Sequence, residues 1–252
     1  MALVFYIVYS QECTIFLFKS WENETMMLHI PDVLTKQQVL DIRHRLDHST
    51  AWIDGKKSAG SQAQSIKNNL QIDVHSDIYQ QISPFILTAL KQQAMFQSAA
   101  LPRHCLMPML NCYQDSGSYG NHVDNAVQYS SETGQPIRTD VSITVFLSEP
   151  EEYEGGELVV EDNYGTHEVK LNAGDAILYP ATSLHRVEPV TAGKRIAAFT
   201  WIQSMVKDDW QRSMLFNLDM TIMQLRQKYG DSEETVSLTS HYHNLLRQWG
   251  DL

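Results

Sequence analysis

The chain has 252 residues, 43% of them hydrophobic, and a net charge of −11. This allows one large core, alone or with a small appendage, and the acidic balance excludes a surface built for nucleic-acid phosphates. No apolar run approaches the ~20 residues of a membrane span, and three cysteines (Cys13, Cys105, Cys112), an odd count with no CxxC pair, read as the reduced thiols of a cytoplasmic protein.

Residues 1–26 are expected to be an N-terminal extension from a misassigned start. Their apolar runs are broken by Gln11-Glu12, they lack the basic and small-residue signals of a secretory leader, and Met26-Met27 directly precedes the strand-like Leu28-His29-Ile30-Pro31. A helical support region with edge strands is expected over 27–103. Thr35 and Gln38 have the spacing of a capping box, and Val39, Ile42 and Leu46 predict a helix over 36–47. Ala51 to Gly55 reads as a short strand and turn, and the polar stretch 59–72 as a paired edge. A second helix is expected from Asp77 to Gln97, kinked or broken at Pro84, because an interior proline costs ~3 kcal/mol.

A barrel is expected over 104–204. Val141, Ile143, Val145 and Leu147 alternate with Ser142, Thr144 and Phe146, and turns fall at Gly155-Gly156, Asn172 to Asp175 and Thr191 to Lys194. Short strands at this spacing after helices suggest a barrel or sandwich with helices outside. The remainder, 205–252, reads as a C-terminal helical region. Val206, Trp210, Met214, Leu218, Ile222 and Leu225 form one stripe, Gly230 a stop, and Asp231 with Glu234 the cap of a last helix. These stripes read as core packing and leave a homodimer contact open.

The chemistry concentrates at His122-Val123-Asp124, His185 and Arg195. Residues two apart in an extended segment point the same way, so His122 and Asp124 can share a metal, and a histidine from a distant strand completes a two-histidine, one-carboxylate set with open positions, as in non-haem Fe(II) oxygenases. Arg195 offers a fork for a carboxylate, with Lys194 as its competitor. The spacing alone is weak: with ten histidines the chain also holds His75-Ser76-Asp77. That copy sits where a helix begins and reads as a cap. His185 taken alone reads as an ordinary strand-end polar residue. His167, His241, His243 and the other histidines read as surface or core groups.

The run Tyr113-x-x-x-Gly117-x-Tyr119-x-x-His122-x-Asp124, followed by Gly155-Gly156-Glu157-Leu158, Ala173-Gly174-Asp175, Leu184-His185-x-Val187 and Arg195, resembles the prolyl-4-hydroxylase type of Fe(II)/2-oxoglutarate dioxygenase. It is closer still to the bacterial PKHD-type hydroxylases, which also carry an element like Lys67-Asn68-Asn69. The resemblance covers residues 27–252. It implies an α+β, mainly β fold, a double-stranded β-helix (jelly-roll) barrel with supporting N-terminal helices and a C-terminal helical tail. It implies Fe(II) held by His122, Asp124 and His185, 2-oxoglutarate clamped by Arg195 rather than Lys194, a hydrogen bond from Tyr113, O2 as oxidant, L-ascorbate as an accessory and a link to iron homeostasis. Ser142, Thr144 and Trp201 are weaker candidates for the wall of the site, and Asn125–Thr139 for a lid over a small-molecule or peptidyl substrate. The competing readings are a non-catalytic metal sensor or store, against which Arg195 argues, and a metal-dependent hydrolase.

Overall fold

Thr35 opens the first helix through its own hydroxyl. In the computed structural model, which describes residues 27–58, 63–131, 133–162 and 165–251, Thr35 Oγ1 accepts from the Gln38 amide at 3.3 Å while Gln38 Oε1 accepts from the Thr35 amide at 2.8 Å. The expected N-terminal extension lies outside the described residues. After strand β1 (Leu28–Ile30), helix α1 runs Lys36–Asp47 and buries Val39, Ile42 and Leu46. Three short strands follow: β2 (Trp52–Asp54), β3 (Lys67–Asn68) and β4 (Leu70–Ile72).

Helix α2 (Asp77–Gln92) begins at Ser76, whose side chain accepts from the Tyr79 amide, so the His75-x-Asp77 copy is indeed a helix start. The helix passes through Pro84 without a break. The chain breaks instead at Gln93, which is extended at φ −78° and ψ 119° and separates α2 from α3 (Ala94–Ala100). Gln93 Nε2 donates to the Asp32 carbonyl at 2.8 Å. A tertiary contact, absent from local pattern, thus sits where the helix stops.

The barrel strands are β5 (Pro102–Cys105), β6 (Met109–Tyr113), β7 (Ser118–His122), β8 (Val127–Tyr129), β9 (Pro136–Arg138), β10 (Val141–Phe146), β11 (Tyr153–Gly155), β12 (Leu158–Asp162), β13 (Gly165–Val169), β14 (Ala176–Pro180), β15 (Leu184–Val187), β16 (Val190–Gly193) and β17 (Arg195–Ser204). The larger sheet has the order β1-β14-β10-β17-β6-β4-β2, with β5 also paired to β17; the smaller has the order β13-β12-β15-β7-β3. All these pairs are antiparallel, and the two sheets make a double-stranded β-helix, a jelly roll. β1, β2 and β4 extend the larger sheet and β3 the smaller, so the segment before the barrel contributes to both walls.

Strand periodicity then sorts side chains between two cores. Val141, Ile143 and Val145 of β10, Leu110 and Cys112 of β6, Ala176 and Leu178 of β14, and Ile196, Ala198 and Ile202 of β17 pack with α1, α2 and α3. Each fully buried aliphatic contributes about 1.5–3 kcal/mol. The opposite face looks into the barrel, where Phe146, Ile177 and Tyr179 meet Leu158, Val160, Val169 and Val187 of the smaller sheet. The stability of the larger sheet thus rests on its outer face, and its inner face can carry polar groups.

The C-terminal pair is α4 (Asp209–Tyr229), ended by Gly230, and α5 (Glu233–Trp249). The cap of α5 is Ser232 with Thr235, not the expected Asp231 with Glu234: Ser232 accepts from the Thr235 amide, and Thr235 Oγ1 accepts back from Ser232. A hydroxyl one residue later closes the ring at the spacing a cap needs. Tyr242, Leu245 and Trp249 pack against Leu101, Val206 and Leu215. Among the described residues no helix is long and apolar enough to cross a membrane.

Candidate functional site

His122 closes β7 and His185 lies in β15, where the two residues are direct antiparallel partners. The ring centroids are 4.2 Å apart. Val123 is 51% exposed, and Asp124 faces the inner side, where its Oδ1 is 3.9 Å from His185 Nε2. One donor atom from each of His122, Asp124 and His185 lies within 4.8 Å of the others. The sequence expectation of a shared face is met, although β7 stops at His122 and Asp124 sits just beyond it.

Hydrogen bonds settle which atoms face one another. His122 Nδ1 lies 2.8 Å from the Gly120 carbonyl, and His185 Nδ1 lies 3.0 Å from the Ser183 carbonyl. A carbonyl can only accept, so each Nδ1 carries a proton, and each Nε2 is the ring nitrogen left to face the other donors. Asp124 Oδ2 accepts from Ser142 Oγ at 2.6 Å, which leaves Oδ1 turned toward the imidazoles. Burial, and then the neighbouring His185, lower His122 to about 4. The result is a nitrogen, nitrogen, oxygen set of donor atoms facing a common point. Such an arrangement is costly without a cation at its centre, and this donor set fits Fe(II) with positions to spare.

Deeper in the barrel, Arg195 begins β17 directly opposite Tyr113 of β6. Arg195 is 1% exposed, while Lys194 points to solvent, so strand parity selects the arginine for the interior. The guanidinium carbon lies 5.4 Å from the Tyr113 ring centroid and 5.2 Å from that of Phe146. Its Nε has no hydrogen-bond partner, and among the described residues no carboxylate pairs with it. A buried, unmatched guanidinium is a strong call for a carboxylate ligand. Burial raises the Tyr113 phenol to about 12, against the opposing charge of Arg195, so Tyr113 stays a neutral donor. Gly156 makes room for this group: at φ +69°, an added Cβ would lie 2.7 Å from Val190 Cγ2 and 3.1 Å from Arg195 Cδ.

One cleft, open to solvent, joins these two centres. Ser142, Thr144 and Trp201 line it as expected, and so do Tyr119, Tyr179, Asn111 and Lys67, which the sequence reading did not single out for the site. Tyr119 reaches the site through a register shift between β7 and β15, where His185 pairs His122 but Val187 pairs Tyr119. The bulge turns residues three apart to one face and stacks the Tyr119 ring on His122 at 3.6 Å. The segment Asn125–Thr139 contains the β8–β9 hairpin, and its Asn125 and Gln128 reach the cleft while Tyr129 is 71% exposed. His241 and His243 lie on α5 away from this cluster, and His167 pairs with Asp162 at 3.1 Å.

Residues 108–203 match the 2OG-Fe(II) oxygenase superfamily and residues 209–251 the PKHD-type hydroxylase C-terminal domain. A PKHD-type hydroxylase of Aliarcobacter butzleri (strain RM4018) is 52% identical over 227 residues, 90% of this chain and 100% of that protein. One of Hyphomonas neptunium (strain ATCC 15444) is 55% identical over 226 residues, again 90% and 100% of the two chains. Among solved structures, a prolyl hydroxylase from Trichoplax adhaerens, bound to a hypoxia inducible factor peptide fragment, aligns with a TM-score of 0.53 at 15% identity. It covers 72% of this chain and 85% of that one, a likeness of fold.

Proposed function

The chain belongs to the PKHD-type hydroxylases, within the Fe(II)- and 2-oxoglutarate-dependent dioxygenases, and on that premise we propose that His122, Asp124 and His185 hold the ferrous ion while Arg195, with Tyr113 beside it, receives the far carboxylate of 2-oxoglutarate. The enzyme hydroxylates a C–H bond of its substrate as 2-oxoglutarate and O2 are converted to succinate and CO2, and bound Fe(II) supplies the oxygen chemistry. The observation that carries the residue assignment is the pair of imidazoles and one carboxylate facing a common point, with an unmatched buried guanidinium deeper in the same cleft.

The protein's own work is positioning. The Gly120 and Ser183 carbonyls fix both imidazole rings, and Ser142 fixes the carboxylate. Arg195 sets the depth at which a dicarboxylate comes to rest, and its planar fork suits a bidentate grip. Leu158, Val187 and Phe146 keep water from this lane. Tyr113 donates to the same carboxylate. The β8–β9 hairpin is read as the lid that contacts a small-molecule or peptidyl substrate. Ascorbate as an accessory reductant follows from the family resemblance. A cytoplasmic site of action is supported by Cys105 and Cys112, both free thiols raised to about 11 by burial.

The test is anaerobic addition of Fe(II) and 2-oxoglutarate. The visible charge-transfer band of their chelate should develop on the wild-type protein and fail to develop on His185→Ala. A wild type that binds iron but gives no band would favour a metal sensor or store.

A further inference from the structure

β17 runs through the barrel with Arg195, Ala197, Phe199 and Trp201 on one face, two residues to a step. Its neighbours fix what stands beside each step. Arg195 is level with Tyr113, Ala197 with Asn111 on one side and Phe146 on the other, Phe199 with Met109 and Thr144, and Trp201 with Ser142. Ser142 is the residue that holds Asp124, so the metal donors belong to the Trp201 end. Asn111 therefore stands between the arginine and the metal position, one step of about 7 Å beyond Arg195 along the strand.

The Asn111 side chain is 6% exposed and lines the cleft, yet its Oδ1 has no hydrogen-bond partner among the described residues. The buried Gln71, its cross-strand partner on β4, does not satisfy that atom. Buried polar atoms are rarely left so, and an unmatched one on the wall of a cleft calls for a ligand. Ala197 brings only a methyl between Asn111 and Phe146, which leaves width at this level for a molecule to lie across it. A terminal amide holds an acceptor at one corner and donors at the other, and half a turn about its last bond exchanges them. Asn111 can thus present an N–H to an anionic oxygen.

We propose that the Asn111 amide donates a hydrogen bond to the carboxylate of 2-oxoglutarate that adjoins the keto group, and so sets the angle at which that end meets the metal. This rests on the site assignment above and deepens it with a protein contact at the opposite end of the co-substrate from Arg195. With the far carboxylate on Arg195, a five-carbon chain roughly 5 Å from end to end carries its 2-oxo acid past Ala197 toward His122, Asp124 and His185. Of the two oxygens on that near carboxylate, one faces the metal and the other is left for a donor. Tyr113, a step deeper and level with Arg195, serves the far end.

Anaerobic titration of the Fe(II)-loaded protein tests this with two 2-oxo acids. One is 2-oxoglutarate; the other is 2-oxovalerate, which has the same five carbons and a methyl group in place of the far carboxylate. The chelate band reports the binding of each. In Asn111→Leu, a near-isostere with no donor, both acids should bind at least about tenfold more weakly than in wild type, the loss of one hydrogen bond to a charged group. In Arg195→Ala only 2-oxoglutarate should lose affinity. Asn111→Ala gives the same reading without added bulk, should leucine disturb the barrel. Fe(II) affinity without either acid should stay within about twofold of wild type in both Asn111 variants. Unchanged affinity for both acids overturns the proposal, and so does a loss confined to 2-oxoglutarate, which would put the amide on the far carboxylate. A parallel loss of Fe(II) affinity overturns it too, since Asn111 would then be structural. Failure of the site assignment itself would look different, because the wild type would form no chelate.

Discussion

His122 and His185 stand directly opposite each other across β7 and β15, with their ring centroids 4.2 Å apart. Residues far apart in the chain are brought together by strand register, and each ring is held by the backbone carbonyl two residues before it, Gly120 for His122 and Ser183 for His185. Changing either to alanine removes one of three donors and leaves Asp124 facing a single imidazole. Iron-dependent succinate formation should fall to background in both variants. Succinate at wild-type levels from either would contradict the assignment.

Among the described residues no carboxylate pairs with Arg195, so its removal should be felt in one place. Hydrogen bonds to charged groups contribute ~1.5–3 kcal/mol each, and loss of the clamp should raise the 2-oxoglutarate requirement at least tenfold. Fe(II) affinity of Arg195→Ala should stay near wild type, because the guanidinium lies deeper than the metal donors. Parallel loss of both affinities, measured by titration, would make Arg195 a structural residue.

Ser142 donates to the Asp124 oxygen that is turned away from the imidazoles. Outer partners of this kind typically change metal affinity by about 10–100-fold. Ser142→Ala should weaken Fe(II) binding within that range and leave the fold intact by circular dichroism. Unchanged Fe(II) affinity would show that Asp124 holds its orientation without help.

Lys67 carries a pH signature. Its folded value of about 8 lies below the ordinary 10.5. Between these two values the unfolded chain binds the extra proton, so stability from this group rises with pH through that window and is least favourable below 8. The span corresponds to a cost on the order of 3 kcal/mol at pH 7. Lys67→Met should therefore be at least as stable as wild type at pH 7 in urea unfolding, with the advantage shrinking as the pH approaches 10.5. A difference that stays constant with pH would mean that burial costs this ammonium little.

What could be read from the sequence is what depends on near neighbours along the chain. The Thr35–Gln38 box, the alternation at 141–147 and the His122-x-Asp124 face follow from the periods of helix and strand, and each appears where expected. Strand parity alone could not choose between Lys194 and Arg195, because it needs to know which face is inside; the family pattern supplied that. Contacts at long range account for the misses. The helix expected to be kinked or broken at Pro84 is not broken there and ends at Gln93, whose side chain reaches Asp32. Tyr119 reaches the cleft through a bulge that shows only in the pairing with β15. Lys67 belongs to a polar run that reads as a paired edge, and β3 is one, but the inward direction of Lys67 is set by its partner on β7, which the run itself does not reveal.

Arg195 and Trp201 point the same way along β17, six residues and therefore about 20 Å apart, the first sealed from solvent and the second half-buried at the open end. A passage with one blind end imposes a queue. Seated on Arg195 as proposed, the dicarboxylate would have to enter before the molecule to be oxidised takes its station, and succinate could not depart while that station is filled. Steady-state kinetics should then show compulsory-order loading, with a substrate mimic competing against substrate but uncompetitive toward 2-oxoglutarate.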